Sequence, residues 1–200
     1  MGFLPSLPEK TNLSDVFKAY PKGVAHLMRY HDAILRSPSP FTIGERELIA
    51  ALVSRLNGCE FCSNAHTFYT ESYGMAEGLV DDVVEDIAAS DAPEKMKPVL
   101  AYVKKLTLAP ATVSQGDVDA MLDAGWPEEA VHDAVVVTAL YNFMNRFIEG
   151  TGVDPFTDDY AKRSARVRKR PIEQRLKLNE DHLGDDNYTK YGRMLGIIED

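Results

Sequence analysis

The sequence predicts an all-α fold. Nearly every apolar pattern repeats at helical spacing, no stretch alternates as a half-buried strand does, and no Asn-Gly pair sits between β-branched runs. The 200 residues, 44% of them hydrophobic, suffice for one domain with a sizeable core.

The elements follow in order. An opening helix or helix pair is expected from Ser14 to about Leu35, with Val16, Phe17, Tyr20, Val24, Leu27, Met28 and Ile34 apolar and Pro21 forcing a break. Ser-Pro-Ser-Pro at 37–40 ends it. Thr42 with Glu45 three residues later forms a capping box, and Leu48, Ile49, Leu52, Val53 and Leu56 supply the stripe of the helix it starts. Gly58 is the expected stop. Cys59 then begins a pattern carried by Phe61, Cys62, Ala65, Phe68 and Tyr69 and closed by Gly74. Shorter helices are expected near 76–89 and 94–108, the second entered through Pro93 as a first-turn proline. Ser114 with Asp117 opens another, ended by Gly125. Pro127 opens the longest, running to Gly150, with Trp126 as a helix-entry staple. Its polar stripe, Thr138, Asn142 and Arg146, reads as the wet face, with a pocket or subunit contact as the alternative.

After residue 157 the character changes. Eight Lys or Arg residues lie between Lys162 and Lys177, and the rest is polar with isolated Tyr188, Tyr191, Met194 and Leu195. The chain is expected to divide into a helical domain over 1–157 and an extension over 158–200. The extension would lie on that domain or on a neighbouring subunit through Tyr188, Tyr191 and Leu195; the alternative is a solvated tail.

A net charge of −9 argues against nucleic acid or an anionic membrane surface as partner, since both are sought with excess Lys and Arg. No basic n-region opens the chain, and no apolar stretch approaches the roughly 20 residues that span a bilayer. A cytoplasmic location is expected. In a reducing compartment two close cysteines point to catalysis, redox sensing or metal binding rather than to a structural staple.

The candidate chemistry lies in Glu47, Cys59, Cys62 and His66, where the two cysteines are the only ones in the chain. A thiol attacks only as its thiolate, and with a pKa of about 8.5 a free cysteine is mostly protonated at neutral pH. A helix start favours the anion, because its unpaired amides carry roughly half a positive charge. His66 lies one turn beyond Cys62, on the same helix face, as a base; Glu47, if buried, orients the imidazole. Three other readings remain open: core cysteines, a zinc site made from these four side chains, and a non-enzymatic redox sensor. A thioredoxin-like site is denied by the absence of a βαβ pattern. His26, His31 and His132 read as surface or packing residues, and His182 falls in the polar tail.

Glu47, eleven residues, Cys59-x-x-Cys62, three residues and His66 together resemble the signature of the alkylhydroperoxidase D family, within the carboxymuconolactone decarboxylase superfamily. The stretches at 125–134 and 141–146 resemble its peroxidase-related subgroup. The resemblance, over about Leu13 to Val153, implies a helical homo-oligomer, a trimer or hexamer; no cofactor and no resident metal are expected. It implies reduction of hydroperoxides with Cys62 as peroxidatic and Cys59 as resolving thiol, recycled by an external lipoyl-type or thioredoxin-type dithiol. One departure stands out: the best-known members place a second relay histidine immediately before the peroxidatic cysteine, where this chain has Phe61. The relay then runs at most through His66, Glu47 and water. A general disulfide oxidoreductase acting on protein thiols is the nearest alternative. Lactone decarboxylation fits least, since it would leave the dithiol idle.

Overall fold

A computed structural model describes residues 2–199. Among them eleven α-helices and one 3-10 turn are formed, and the only extended pairing is an isolated bridge between Thr11 and Val153. The all-α expectation holds.

The broken opening helix is two helices, α1 (Leu13–Ala19) and α2 (Val24–Leu35). Pro21 cannot continue the first, and Gly23 restarts the second from a left-handed φ of 82°. α3 (Ile43–Leu56) starts on the Thr42–Glu45 capping box. Every residue from Arg46 to Ser54 is buried, so α3 is the central helix, wrapped by its neighbours rather than lying on a core with one face. α4 (Glu60–Ser72), α5 (Leu79–Glu85), α6 (Met96–Leu108) and α8 (Glu128–Thr151) pack around it, and α7 (Gln115–Asp123) closes on α6 and α8.

Three boundaries differ from the sequence reading. α5 is shorter than 76–89: Gly78 enters it at φ 81°, and Asp86 turns extended while its carboxylate takes the amides of Ala88 and Ala89 at 2.8 and 3.2 Å. α6 starts at Met96, because Pro93 serves as the carbonyl of a preceding turn, 2.7 Å from the Met96 amide. α8 continues through Gly150 and ends on Gly152, whose φ of 70° supplies the left-handed cap. The turn Pro110–Thr112 had no distinct sequence signal.

The stripe on α8 is wet only at Arg146. Thr138 is buried, and Asn142 and Asn145 accept from Asn57 Nδ2 at 3.1 and 2.9 Å, while Asn145 donates to Ser54 Oγ at 3.0 Å. This ladder ties the α3–α4 turn to α8. Trp126 donates its indole N–H to Lys95 O at 2.7 Å and packs its ring on Phe41 at 4.5 Å.

Residues after 156 form α9 (Thr157–Val167), α10 (Ile172–Asp181) and α11 (Asn187–Met194). α9 packs on α4, α10 touches α4, and α11 lies on α2. Tyr188, Tyr191 and Leu195 pack on a small cluster of Phe17, Val24, Met28 and Ile198. Polar contacts do much of the fastening. Arg168 grips the buried carboxylate of Glu71 at 3.1 and 2.8 Å, and Asp32 accepts the amides of Tyr188 and Thr189 at 2.9 and 2.8 Å. Among the described residues no helix is long and apolar enough to cross a membrane.

Candidate active site

The site begins at the turn between α3 and α4. Cys59 N–H reaches back to Ser54 O at 2.9 Å and Gly58 N–H to Arg55 O at 3.1 Å, the paired bonds of a Schellman motif, with Gly58 at φ 70°. The residue that ends this motif is also the N-cap of α4, so Cys59 sits at the junction and Cys62 one turn inside. Both thiols are free and buried, at 0% and 3% exposure.

α3 and α4 run side by side, which brings together residues nineteen apart. His66 Nδ1 lies 2.6 Å from Glu47 Oε2, and Glu47 has no exposed surface. On the other oxygen, Arg36 Nη1 makes an ion pair with Glu47 Oε1 at 2.8 Å. Burial alone would push the Glu47 carboxyl up; Arg36 first and His66 second overturn it and hold the group down at about 2. Glu47 is therefore an acceptor, Nδ1 carries the imidazole proton, and Nε2 is left with a lone pair. Burial opposes the charge on Arg36 as well, but Glu47 more than compensates and raises its pKa. Its guanidinium lies over the rings of Tyr73 and Tyr188, 5.4 and 5.6 Å from their centroids.

In front of this triplet lies a chamber of about 630 Å³, within the range of sites that enclose a small organic molecule. Phe61, Cys62, His66, Tyr69, Tyr141 and Tyr160 line it, together with polar groups that include His31, Arg36 and His182. The ring of Tyr141 meets His66 edge-on at 4.3 Å and holds the imidazole in place. Among the described residues no direct hydrogen bond joins Cys62 to His66. A proton passing between them crosses the chamber, by a rotamer change or through one water.

The two thiols are not equivalent. Cys62 lines the chamber and Cys59 does not. The helix start was expected to favour the thiolate at both, but the Cys59 thiol is pushed up, first by its hydrogen bond with Cys62, then by burial, with Glu149 adding to the effect. Cys59 is thus held as a protonated thiol behind the sulfur that faces the chamber.

The sequence-predicted residues fall in one place: Glu47 meets His66, and Cys59 meets Cys62. Both Glu47 oxygens are taken by Arg36 and His66, so this carboxylate does not turn toward the sulfurs as a zinc ligand would. Among the described residues no group of three or more His, Cys, Asp or Glu side chains is placed to hold a metal ion. Arg36 and His31 were missed. Both come from α2 or its end and reach the site by helix crossing, which no spacing in the sequence reports. His182, assigned to a polar tail, lines the chamber and sits 3.1 Å from Tyr73 Oη.

Residues 21–104 match the carboxymuconolactone decarboxylase family. A peroxidase-related protein from Ralstonia eutropha JMP134, described as an alkylhydroperoxidase AhpD core, is 26% identical, with a TM-score of 0.68 over 73% of this chain and 76% of that one. A peroxidase-related protein from Silicibacter sp. TM1040 is 23% identical, with a TM-score of 0.66 over 73% and 78%. The fold also extends to the debrominase Bmp8, solved with 2,3,4-tribromopyrrole, at 16% identity and a TM-score of 0.60 over 77% and 81%. Among curated proteins, Sestrin-3 of Mus musculus is 22% identical over 151 residues, 74% of this chain; the chain spans 29% of that relative's length. The matched segment thus resembles the carboxymuconolactone decarboxylase family, and the chain's helical architecture is the alkylhydroperoxidase D-like fold.

Proposed function

We propose that this chain is a thiol-dependent peroxidase that reduces organic hydroperoxides through a Cys59–Cys62 dithiol cycle. One observation carries the reading: a cysteine facing the chamber has a second free thiol beside it and, on the same wall, an imidazole whose tautomer is fixed by a buried carboxylate. His66 Nε2 takes the Cys62 proton. The thiolate attacks the terminal oxygen of ROOH, an S–O bond forms as the O–O bond breaks, and RO⁻ receives the proton from His66. Cys59 then attacks the sulfenic sulfur, a disulfide forms, and hydroxide leaves with the Cys59 proton as water. Sulfur is oxidised and the peroxide is reduced to ROH and water.

An external dithiol of lipoyl or thioredoxin type returns the disulfide to two thiols. We assign the chain to a homo-oligomer, a trimer or hexamer, and to the cytoplasm, where such donors keep thiols reduced. Stopped-flow mixing of reduced protein with cumene hydroperoxide tests the reading: two thiols should be lost per peroxide consumed. An unchanged thiol count rejects it, and faster turnover of a protein disulfide than of any hydroperoxide would favour the general oxidoreductase instead.

A further inference from the structure

The chamber contains a second imidazole that the dithiol cycle above leaves without a task. His31, on α2, is 3% exposed and lines the same cavity as Cys62 and His66. Its Nδ1 lies 2.8 Å from Leu27 O. A carbonyl has no hydrogen to give, so Nδ1 holds the proton and Nε2 is a bare acceptor. Among the described residues no side chain or amide donates to that nitrogen. The ring is fixed on two sides, against Tyr188 at 4.8 Å and edge-on to Tyr141 at 6.2 Å, and Tyr141 is the same ring that steadies His66.

The surroundings keep this acceptor available. Facing His31 are Asp32 on its own helix, Glu47 on α3, His66 on α4, Tyr141 on α8 and Tyr188 on α11, whose ring lies under the Arg36 guanidinium. Burial outweighs the two carboxylates and lowers its pKa to about 4, which leaves the imidazole neutral through the physiological range. The residue before Cys62 is Phe61, which lines the chamber with a ring that neither gives nor takes a proton. A neutral hydrogen-bond acceptor in an aromatic chamber has one evident use, to take the hydrogen bond of a bound hydroxyl.

We propose that His31 binds the substrate's O–H: its Nε2 accepts the hydrogen bond of the hydroperoxide's terminal hydroxyl and turns that oxygen toward the Cys62 sulfur. The inference rests on the peroxidase reading. No atom is transferred to His31. The hydroxyl hydrogen stays on the oxygen that becomes Cys62–SOH, while the proton taken from Cys62 returns through His66 to RO⁻. The two histidines thus divide the work, His66 moving a proton and His31 orienting the oxygen that is attacked.

The test compares the full-length chain with His31→Leu and His31→Gln, each reduced and mixed with increasing cumene hydroperoxide. Leucine removes the acceptor, whereas glutamine places a carboxamide oxygen near the position of Nε2. The expected result for leucine is a half-saturating concentration raised about tenfold, the loss of one hydrogen bond, with the final disulfide yield unchanged; glutamine should recover to within about threefold of the parent. Equal impairment by leucine and glutamine, or no impairment, overturns the proposal and makes His31 a packing residue. A second measurement needs no turnover and no variant. In ¹⁵N NMR of the reduced protein, 2-phenyl-2-propanol, which supplies a hydroxyl on the same carbon body, should shift the unprotonated Nε2 of His31. No shift at saturating alcohol overturns the proposal; a shift in a protein that loses no thiols to peroxide supports the hydroxyl-binding role and rejects the peroxidase reading.

Discussion

Glu47 carries a full charge with no exposed surface, and its two oxygens are divided between Arg36 and His66. Glu47→Gln would leave Arg36 charged and unpaired, a loss of about 3–5 kcal/mol by urea denaturation. The same change frees the His66 tautomer and should slow thiol oxidation. The sign with pH follows from two depressed groups. Glu47, held at about 2, stabilises the fold above its ordinary pKa, a contribution lost as pH falls from about 4.5 to 2. His31, held at about 4, binds its proton less well folded than unfolded, so its contribution is complete above 6.5 and lost between 6.5 and 4. Unfolding midpoints should therefore drop on acidification from pH 7 to 4. In His31→Gln that slope should flatten by up to about 3 kcal/mol over the interval; an unchanged slope would mean that His31 titrates normally. Glu47 and His66 were legible in the sequence because a fixed interval separates them from the cysteines. Arg36 was not, since an arginine after Leu35 looks like any helix end until α3 crosses it.

The α3–α4 turn places both cysteines, and its geometry is written in Gly58. A Cβ added there would meet nothing within 4 Å, so the cost of Gly58→Ala is that of the left-handed backbone alone, about 1 kcal/mol. Thermal unfolding should show that small loss, while disulfide formation after peroxide addition should slow more than proportionally if the turn sets the Cys59–Cys62 approach. At the other end of the site, Asp32 caps α11, whose Tyr188 supports the His31 ring. Asp32→Ala should cost about 1 kcal/mol and raise hydrogen exchange in 187–199 selectively. Uniform protection would show that the apolar cluster alone seats the helix. Capping boxes and glycine stops made α3, α4 and α7 readable in advance. The edges of α5 and α6 were not, because Asp86 and Pro93 bond to their own loops, and such local side-chain turns compete with helix on equal terms.

For the whole molecule, periodicity alone was enough to read an all-helical fold, because the helical core is built from apolar residues at regular spacing. The seat of residues 157–199 could not be read so. They hold few apolar residues: the expected anchors Tyr188, Tyr191 and Leu195 do seat α11, but α9 and α10 are fastened by polar contacts that periodicity does not report, Arg168 on Glu71, Arg175 on the Glu71 carbonyl at 2.8 Å, and Asn179 on Tyr73 O at 2.9 Å. These helices supply Tyr160, His182, Tyr188 and Tyr191 to the chamber wall, so the site is a product of the complete chain rather than of the cysteine motif alone. The central claim is that Cys62 meets the peroxide and Cys59 resolves it. Mass spectrometry of Cys59→Ser and Cys62→Ser after one equivalent of cumene hydroperoxide, with dimedone present, tests it most directly. The account predicts one dimedone adduct on Cys62 in Cys59→Ser and none on Cys59 in Cys62→Ser; an adduct on Cys59, or none in either variant, would contradict it.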